Sequence, residues 1–507
     1  DADPTQPAAP LIPRRFSHPP DASPTPLSLD TAQVIQKVRR SNPASAGGLS
    51  GTTYKTLRSW FFAHDSTSDD LTAVLNLILK GEVPPSIVPL LNAGRGIVVP
   101  KNDKGELRPI VIGHVLLRLL GSLALTTLTE ATKTFFLKPN PLQFGVGMAS
   151  GCELVAAAIS AHLELHPDDI DCALDSKNAF NSWCRSQMWQ PLLDHFPSVY
   201  SLVKLMYGDP SSVLFHEPGS GLCEIMNSVG CKQGCSLGSF LFSVAIHASL
   251  SKLQLEFKDC LVIAYCDDVH VVGEPSRVAK AYQRWAHLVG KDLQGELRSD
   301  KSKIFAPSQL LTKTHLVDLG FPSAHDGTRV LGGPVGNDRF KTKFASSIVD
   351  TILDDLDALA LMPSSQAQHL ITTKSVAHRI NHLLRSIPGG EEDLFGDLAL
   401  RYDKALLLIP QRICHQISFA PLSRLLCALP LSHGGLGYRT WRSTCDSAFL
   451  AAYTFVSNTF PSLFPQYSSQ YPAAHDIPAA PHHVPRQARF ASLALARLRS
   501  LSSTAAE

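Results

Sequence analysis

Apolar and polar positions along this chain predict short strands in its first two thirds and long helices after them. Leu261-Val262-Ile263-Ala264-Tyr265 and the run holding Val269, Val271 and Val272 are β-branched and aromatic stretches flanking a turn, which predicts a hairpin. VPKNDKGELRPIVIGHVLLRLL, residues 99–120, reads as strand, polar turn, strand and helix start, folding back at Lys104 and Gly105. CALD predicts a strand ending at Asp175, with a turn and helix over NAFNSWCR. SLGSFLFSVAIHASL predicts a helix, and an earlier helical pattern starts near SLDTAQVIQKVRR with Ser28 or Asp30 as its cap. Residues 340–430 lack strand alternation and are rich in Leu and Ala, which predicts a helical lobe. RQARFASLALARLRS fits either a short basic amphipathic helix or a solvated tail.

Composition adds boundaries to this pattern. Eight prolines between Pro4 and Pro26, with few large apolar residues, predict an unstructured linker over residues 1–30. From about residue 459 the chain drifts into Pro, Ser, Ala and His, so residues 441–507 are expected to be a partly disordered tail. At 507 residues the chain suits two to four domains or one multi-lobed enzyme. Its 44% hydrophobic and 18% charged content suit a folded core. With 46 Lys+Arg against 44 Asp+Glu, bulk charge gives no sign of nucleic-acid binding, so any basic surface must be local. The eleven cysteines contain no C-x-x-C and no Cys/His cluster at zinc-ligand spacing, which predicts reduced thiols and an intracellular setting. No run of about 18 apolar residues suggests a membrane span. A chain beginning at Asp1 rather than Met is expected to be a piece of a longer product.

Three stretches carry candidate chemistry. Asp267 and Asp268 sit side by side at the predicted hairpin tip, where the pair is either an ordinary exposed turn or a cation site. Asp175, at a strand end, either caps the following helix or binds a cation. Two-metal phosphoryl transfer needs carboxylates from separate elements around ions about 4 Å apart, and a strand end facing a hairpin tip would supply them. In SVGCKQGCSLGSFLF, Gly230, Gly234 and Gly238 recur every fourth residue around Gln233, a pattern that allows close backbone approach to a ligand or ordinary helix packing. Lys101 and Arg108 flank the NDKG turn and would converge on one face of the hairpin, where they either receive an anion or decorate a surface.

The order of these segments resembles the fingers and palm of a reverse transcriptase, most closely the polymerase region of non-LTR retrotransposons. YCDD matches the family's Y-x-D-D hairpin, LDSKNAFNSWCR resembles LDxxNAFNxxxR, and SVGCKQGCSLG resembles SxxGxxQGxPLG. RPIVIGHVLLRLL is similar to a fingers stretch, LRSDKSKIF to the segment written LNxxKS, and LGGPVG to the segment that grips the primer. Softer matches extend the likeness over about residues 43–440.

The resemblance implies an α+β right-hand polymerase with an antiparallel palm sheet, fingers and a helical thumb. Its boundaries would be fingers and an N-terminal extension over 31–165, palm over 166–335 and a thumb-like region over 336–440. It implies Asp175, Asp267 and Asp268 as ligands of two Mg²⁺ ions, with Mn²⁺ as a substitute, and Lys301 as the general acid that protonates pyrophosphate. Lys101 and Arg108 would hold the incoming triphosphate, and Phe180 would exclude a ribose 2′-OH. Gln233 and Gly234 would lie along the nascent base pair, and Tyr265 of the Y-x-D-D hairpin would contact substrate. Arg118 and Gly332 would contact nucleic acid. The implied partners are an RNA template, a DNA primer, dNTPs and an endonuclease domain or protein; the implied compartment is the nucleus, with no membrane. Cys235 and Ser236 depart from the family's Asp or Ser followed by Pro, and Arg298 from its Asn. The alternatives are a weak or inactive palm-fold protein that binds nucleic acid, and an RNA-dependent RNA polymerase.

Overall fold

A computed structural model describes residues 17–64, 66–101, 105–217, 219, 221–308, 315–388, 392–472 and 486–504. The chain is α+β and divides into two compact units. The first holds Asp1–Met148, Ala173–Val271 and Ala279–Ser302, and the second holds Ala149–Cys172, Val272–Val278 and Lys303–Glu507.

In the first part of the chain the strands are β1 (Gly94–Pro100), β2 (Leu107–Ile112), β3 (Ile170–Leu174), β4 (Ser211–Glu217), β5 (Gly221–Asn227), β6 (Leu261–Tyr265) and β7 (Asp268–Gly273). One sheet has the order β2-β1-β4-β5, with β1 antiparallel to β2, parallel to β4, and β4 antiparallel to β5. The predicted fold-back between β1 and β2 is closed by Lys101 N–H donating to Glu106 O at 2.7 Å; Asn102, Asp103 and Lys104 lie outside the described residues. A second sheet runs β6-β7-β3. β3 and β6 are buried almost throughout; β6 is a continuous apolar run, while β3 carries the buried Asp171 among its apolar residues. The helix Gly238–Glu256 buries Phe240, Leu241, Phe242, Val244, Ile246, Leu250 and Leu253, and so is apolar nearly all round, which marks a core helix.

Asp30 caps the helix Thr31–Arg40, its carboxylate accepting from Gln33 N–H at 2.8 Å. Residues 17–30, expected to be unstructured, form no helix or strand but are fastened along their length. Leu27 N–H donates to Ser198 O at 2.7 Å, and Leu29 exchanges two bonds with the Asn76 side chain. Tyr200 Oη donates to Pro20 O at 2.5 Å. Residues 1–16 of that stretch lie outside the described residues.

The second unit adds β8 (Lys303–Phe305), β9 (Ser323–Ala324), β10 (Gly327–Val330) and β11 (Gly333–Gly336). β8 and β9 pair in parallel, and β10 and β11 form an antiparallel hairpin. Parallel pairings therefore accompany the antiparallel ones in this fold. The predicted helical lobe contains the helices Asp338–Ala360, Ser365–Lys374, Asn381–Ser386 and Glu392–Ile413. Val349, Ile352, Leu356, Leu383, Leu384, Tyr402, Leu406 and Trp441 meet in one core. Among the described residues of 441–507 lie the α-helices Trp441–Leu463 and Arg486–Thr504. The first buries Trp441, Cys445, Phe449, Tyr453, Val456 and Phe460 at helical spacing, an apolar stripe strong enough to order Ser- and Pro-bearing sequence. Among the described residues no single helix is long and apolar enough to cross a membrane.

Candidate active site

Asp175 follows directly on buried β3, and the backbone around it is tied down on both sides. Its N–H donates to Ser302 Oγ at 3.1 Å, and its carbonyl accepts from Arg298 N–H at 2.8 Å. Burial raises the Asp175 pKa, and the nearby cations Lys101, Lys301 and Arg298 partly offset that rise.

The β6–β7 hairpin turns through Cys266 and Asp267. Cys266 sits at φ 54°, a left-handed conformation unusual for a residue with a side chain. Gln143, wholly buried, holds it there: its Oε1 accepts from Cys266 N–H at 2.6 Å, and its Nε2 donates to Cys266 O at 3.1 Å. Asp267 is pushed up to about 6, first by burial, then by the Asp268 and Asp175 carboxylates, against the pull of Arg108.

Asp175 and Asp267 line one polar cavity of about 130 Å³, together with Lys101, Arg108, Asn178, Phe180, Asn181, Gln233 and Arg298. Asp268, at the head of β7, is exposed. Among the described residues no three His, Cys, Asp or Glu side chains are gathered as a metal-binding cluster. The donor set nevertheless suits a hard divalent cation: two carboxylates share the cavity, and Asp268 and Asp175 both raise the cost of ionising Asp267.

Phe180 forms part of the cavity wall and stacks on Phe242, ring centroids 4.8 Å apart. Gln233 is held by its carbonyl, which accepts from Val111 N–H of β2 at 2.7 Å. Gly234, at φ 119°, passes so close to β2 that a Cβ there would lie 2.6 Å from Val111 O, so glycine is required. Tyr265 ends β6 and is half-buried.

Lys301, beyond Arg298 and near enough to lower the Asp175 pKa, forms a two-pronged ion pair with Glu106, at 2.9 and 3.0 Å. The Arg118 guanidinium is engaged inside the chain, on Ala46 O at 2.7 Å, on Ser45 Oγ and over the Tyr54 ring. Gly332 belongs to the second unit, where it turns the β10–β11 hairpin. The cavity thus brings together Asp175, Asp267, Lys101, Arg108, Phe180 and Gln233, and its described lining does not include Asp268, Lys301, Tyr265, Gly234, Arg118 or Gly332.

Sequence reasoning missed three supporting residues. Gln143 lies in QFGVGMASGCE, outside the stretches that carry candidate chemistry. Ser302 lies in LRSDKSKIF and was not singled out. Arg185 closes NAFNSWCR and is fully buried. It donates to Gly230 O at 2.9 Å, Tyr207 O at 3.1 Å and Asn227 Oδ1 at 2.7 Å, fixing the segment that leads into Gln233. Its place at the closing Arg of LDSKNAFNSWCR, matching the last position of LDxxNAFNxxxR, was the available signal.

With this geometry in place, comparison with known proteins defines the class. Residues 99–335 match the sequence model of the family described as "Reverse transcriptase (RNA-dependent DNA polymerase)". That span is similar to the reverse transcriptase family, in agreement with the order of its sequence motifs. Over 452 residues the chain is 25% identical to the retrotransposable element SLACS 132 kDa protein of Trypanosoma brucei gambiense, covering 86% of this chain and 36% of that protein. The chain therefore spans about a third of the length of that relative. Among solved structures, telomerase from Candida albicans in complex with a fragment of telomeric RNA matches with TM-score 0.37 and 11% identity, over 76% of this chain and 67% of that one. Apo telomerase from Candida tropicalis matches with TM-score 0.37 and 10% identity, over 49% of this chain and 54% of that one.

Proposed function

We propose that this chain is the polymerase part of a retrotransposon protein that extends a DNA primer 3′-OH on an RNA template with dNTPs. The observation that carries the reading is the single cavity in which Asp175 and Asp267 face Lys101, Arg108, Phe180 and Gln233. Asp175, Asp267 and Asp268 would hold two Mg²⁺ ions. When bound, these ions would neutralise charge on the attacking and leaving oxygens of an in-line displacement. Lys101 and Arg108 would bind the triphosphate, and the Phe180 ring, braced by Phe242, would meet a ribose 2′-OH. Gln233 and Gly234 would present backbone to the nascent base pair. Lys301 would deliver a proton to pyrophosphate once Glu106 releases it. An endonuclease from another domain or protein would supply the primer end, in the nucleus.

The test is primer extension on an RNA template with each dNTP and Mg²⁺, alongside template binding. Extension that depends on the RNA template supports the reading; binding without extension by any dNTP overturns it in favour of an inactive palm protein. Phe180→Ala should raise use of rNTPs relative to dNTPs, and an unchanged ratio would remove Phe180 from the sugar site.

A further inference from the structure

The cations expected to receive the triphosphate already have a carboxylate among them. Glu106 stands immediately before β2, two residues before Arg108, where its carbonyl closes the turn onto Lys101 N–H. Its side chain reaches Lys301 with both oxygens, at 2.9 and 3.0 Å, and Lys101 with Oε2 at 3.8 Å. These two lysines come from distant parts of the sequence: Lys101 lines the cavity, Lys301 lies outside its described lining, and both are close enough to Asp175 to lower its pKa. A third cation on the cavity wall, Arg298, has its own carboxylate: Nε and an Nη meet Asp300 at 3.1 and 2.6 Å. Arg298 and Asp300 are close neighbours in sequence, so that pair is local. The Glu106 bridge is not local, because it joins the fingers hairpin to the segment that carries Lys301.

A carboxylate that accepts from one ammonium group and lies 3.8 Å from a second presents the same charge to them as a phosphate oxygen would. We propose that Glu106 is a built-in stand-in for the nucleotide's phosphates, occupying Lys101 and Lys301 until an incoming triphosphate displaces it. This rests on the polymerase reading of the cavity. Two consequences follow from the geometry. The lysines stay directed at the reaction centre in the nucleotide-free chain. A weak anion must compete with a tethered carboxylate, so single phosphates are rejected better than triphosphates, which offer several oxygens at once. Glu106, Lys101 and Lys301 are all partly exposed, at 39%, 43% and 29%, so the contact is weak enough to exchange.

The experiment measures equilibrium binding of a dNTP, and separately of inorganic tripolyphosphate, to the full chain with primer–template in a non-extendable form. Glu106→Gln keeps the side chain's shape and removes its charge. It should tighten both ligands by about two- to fivefold, the range expected when a partly exposed ion pair no longer has to be broken. The salt dependence of tripolyphosphate binding should steepen, since more cationic charge is then neutralised by the ligand rather than by Glu106. Glu296→Gln is the control. It removes the same charge from a carboxylate whose partner is Lys177, at 2.9 Å, and which does not touch Lys301 or Lys101. It should leave both affinities unchanged. Glu106→Ala, which cannot bridge at all, should tighten them as much as the glutamine variant. Equal tightening by Glu296→Gln would reduce the effect to general field and overturn the proposal. Unchanged or weaker triphosphate binding in Glu106→Gln, in a chain that still melts at the parent temperature, would also overturn it. An unmutated chain that extends primers while Glu106→Gln binds no tighter refutes the stand-in alone. An unmutated chain that neither extends primers nor binds dNTP refutes the polymerase reading and the stand-in with it.

Discussion

Two hairpins in this chain reverse direction in two residues, and they hold their turns by different means. Between β10 and β11 the turn is Leu331-Gly332, with φ of 46° and 91°. Both central residues are left-handed, the pattern whose twist matches the flanking strands, and Gly332 takes it without steric cost. Between β6 and β7 the turn is Cys266-Asp267, with Cys266 at φ 54° and no glycine or asparagine in it. A left-handed non-glycine residue costs roughly 1–2 kcal/mol. Here it is held from outside, by the buried Gln143 amide on both backbone groups of Cys266. Flanking bonds from Phe144 N–H to Ala264 O at 2.8 Å and from Ala264 N–H to Leu142 O at 2.7 Å keep that segment against β6. In the first turn Gly332 eases one of the two left-handed positions and Leu331 bears strain at the other; the second is held by tertiary contact and carries a carboxylate that burial disfavours. Turn residues can be chosen for chemistry rather than shape when another segment supplies the shape.

The largest test of that contrast is Asp267→Asn. On the polymerase reading, extension should fall by about 10³ or more, because the neutral amide would no longer hold a metal, while template binding would persist through phosphate contacts. Stability should move the other way. With the folded pKa raised to about 6, protonated Asp267 contributes stability that is fully present below its ordinary value near 3.8 and lost as pH rises through about 6. Asparagine keeps the uncharged state at every pH. The metal-free variant should therefore melt higher than the parent at pH 7, by about 1–2 kcal/mol after allowing for the open cavity beside it. A variant that loses activity and also melts lower would show that Asp267 is packed for structure.

Gln143→Leu should have the next largest effect. It leaves the Cys266 N–H and C=O buried without their amide partner, at a cost of about 2–4 kcal/mol for two such groups. If the tip shifts by about 1 Å, extension should fall by about 10²-fold with dNTP binding less affected. Activity near the parent level in a stable Gln143→Leu protein would mean that the β6–β7 turn holds itself, and the contrast with β10–β11 would fail.

The pH profile gives a milder perturbation. A metal at this site must displace the Asp267 proton, so metal affinity should be constant above about pH 6 and fall about tenfold per unit below it. Saturating Mg²⁺ should shift the activity midpoint to lower pH. An activity profile flat from pH 7 to pH 5 at limiting Mg²⁺ would exclude Asp267 from the metal site.

The same contrast explains what could be read from sequence. The two strands around YCDD, the β1–β2 fold-back and Asp175 at a strand end were legible, because apolar runs and turn residues are local signals. The Asp30 cap was among the two residues expected, since capping acts within three residues. Gln143 on Cys266, Arg185 on Asn227 and Gly230, and Glu106 on Lys301 were not legible. Each joins residues far apart in sequence, and nothing in the local pattern names the partner. The helix Trp441–Leu463 was obscured for another reason: Ser, Thr and Pro461 dilute a composition whose aromatic spacing carries the helical signal.

The smallest expected effects belong to the self-sufficient turn. Leu331→Asn would create Asn-Gly, the sequence that best adopts two left-handed residues in a two-residue hairpin. Relief of backbone strain should exceed the loss of a half-buried leucine's contacts, leaving a gain of about 0.5 kcal/mol in the melting free energy. Gly332→Ala should do the opposite. A Cβ there meets nothing closer than the Arg329 side chain at 4.0 Å, so any cost comes from φ 91° alone, about 1 kcal/mol. Cys266→Gly completes the comparison. It also relieves a left-handed residue, but gives up a buried side chain beside Gly145 while the Gln143 clamp still fixes the turn. It should therefore destabilise or do nothing. Equal gains from Leu331→Asn and Cys266→Gly would show that local strain governs both turns alike, and that the Gln143 clamp adds nothing the backbone does not already supply.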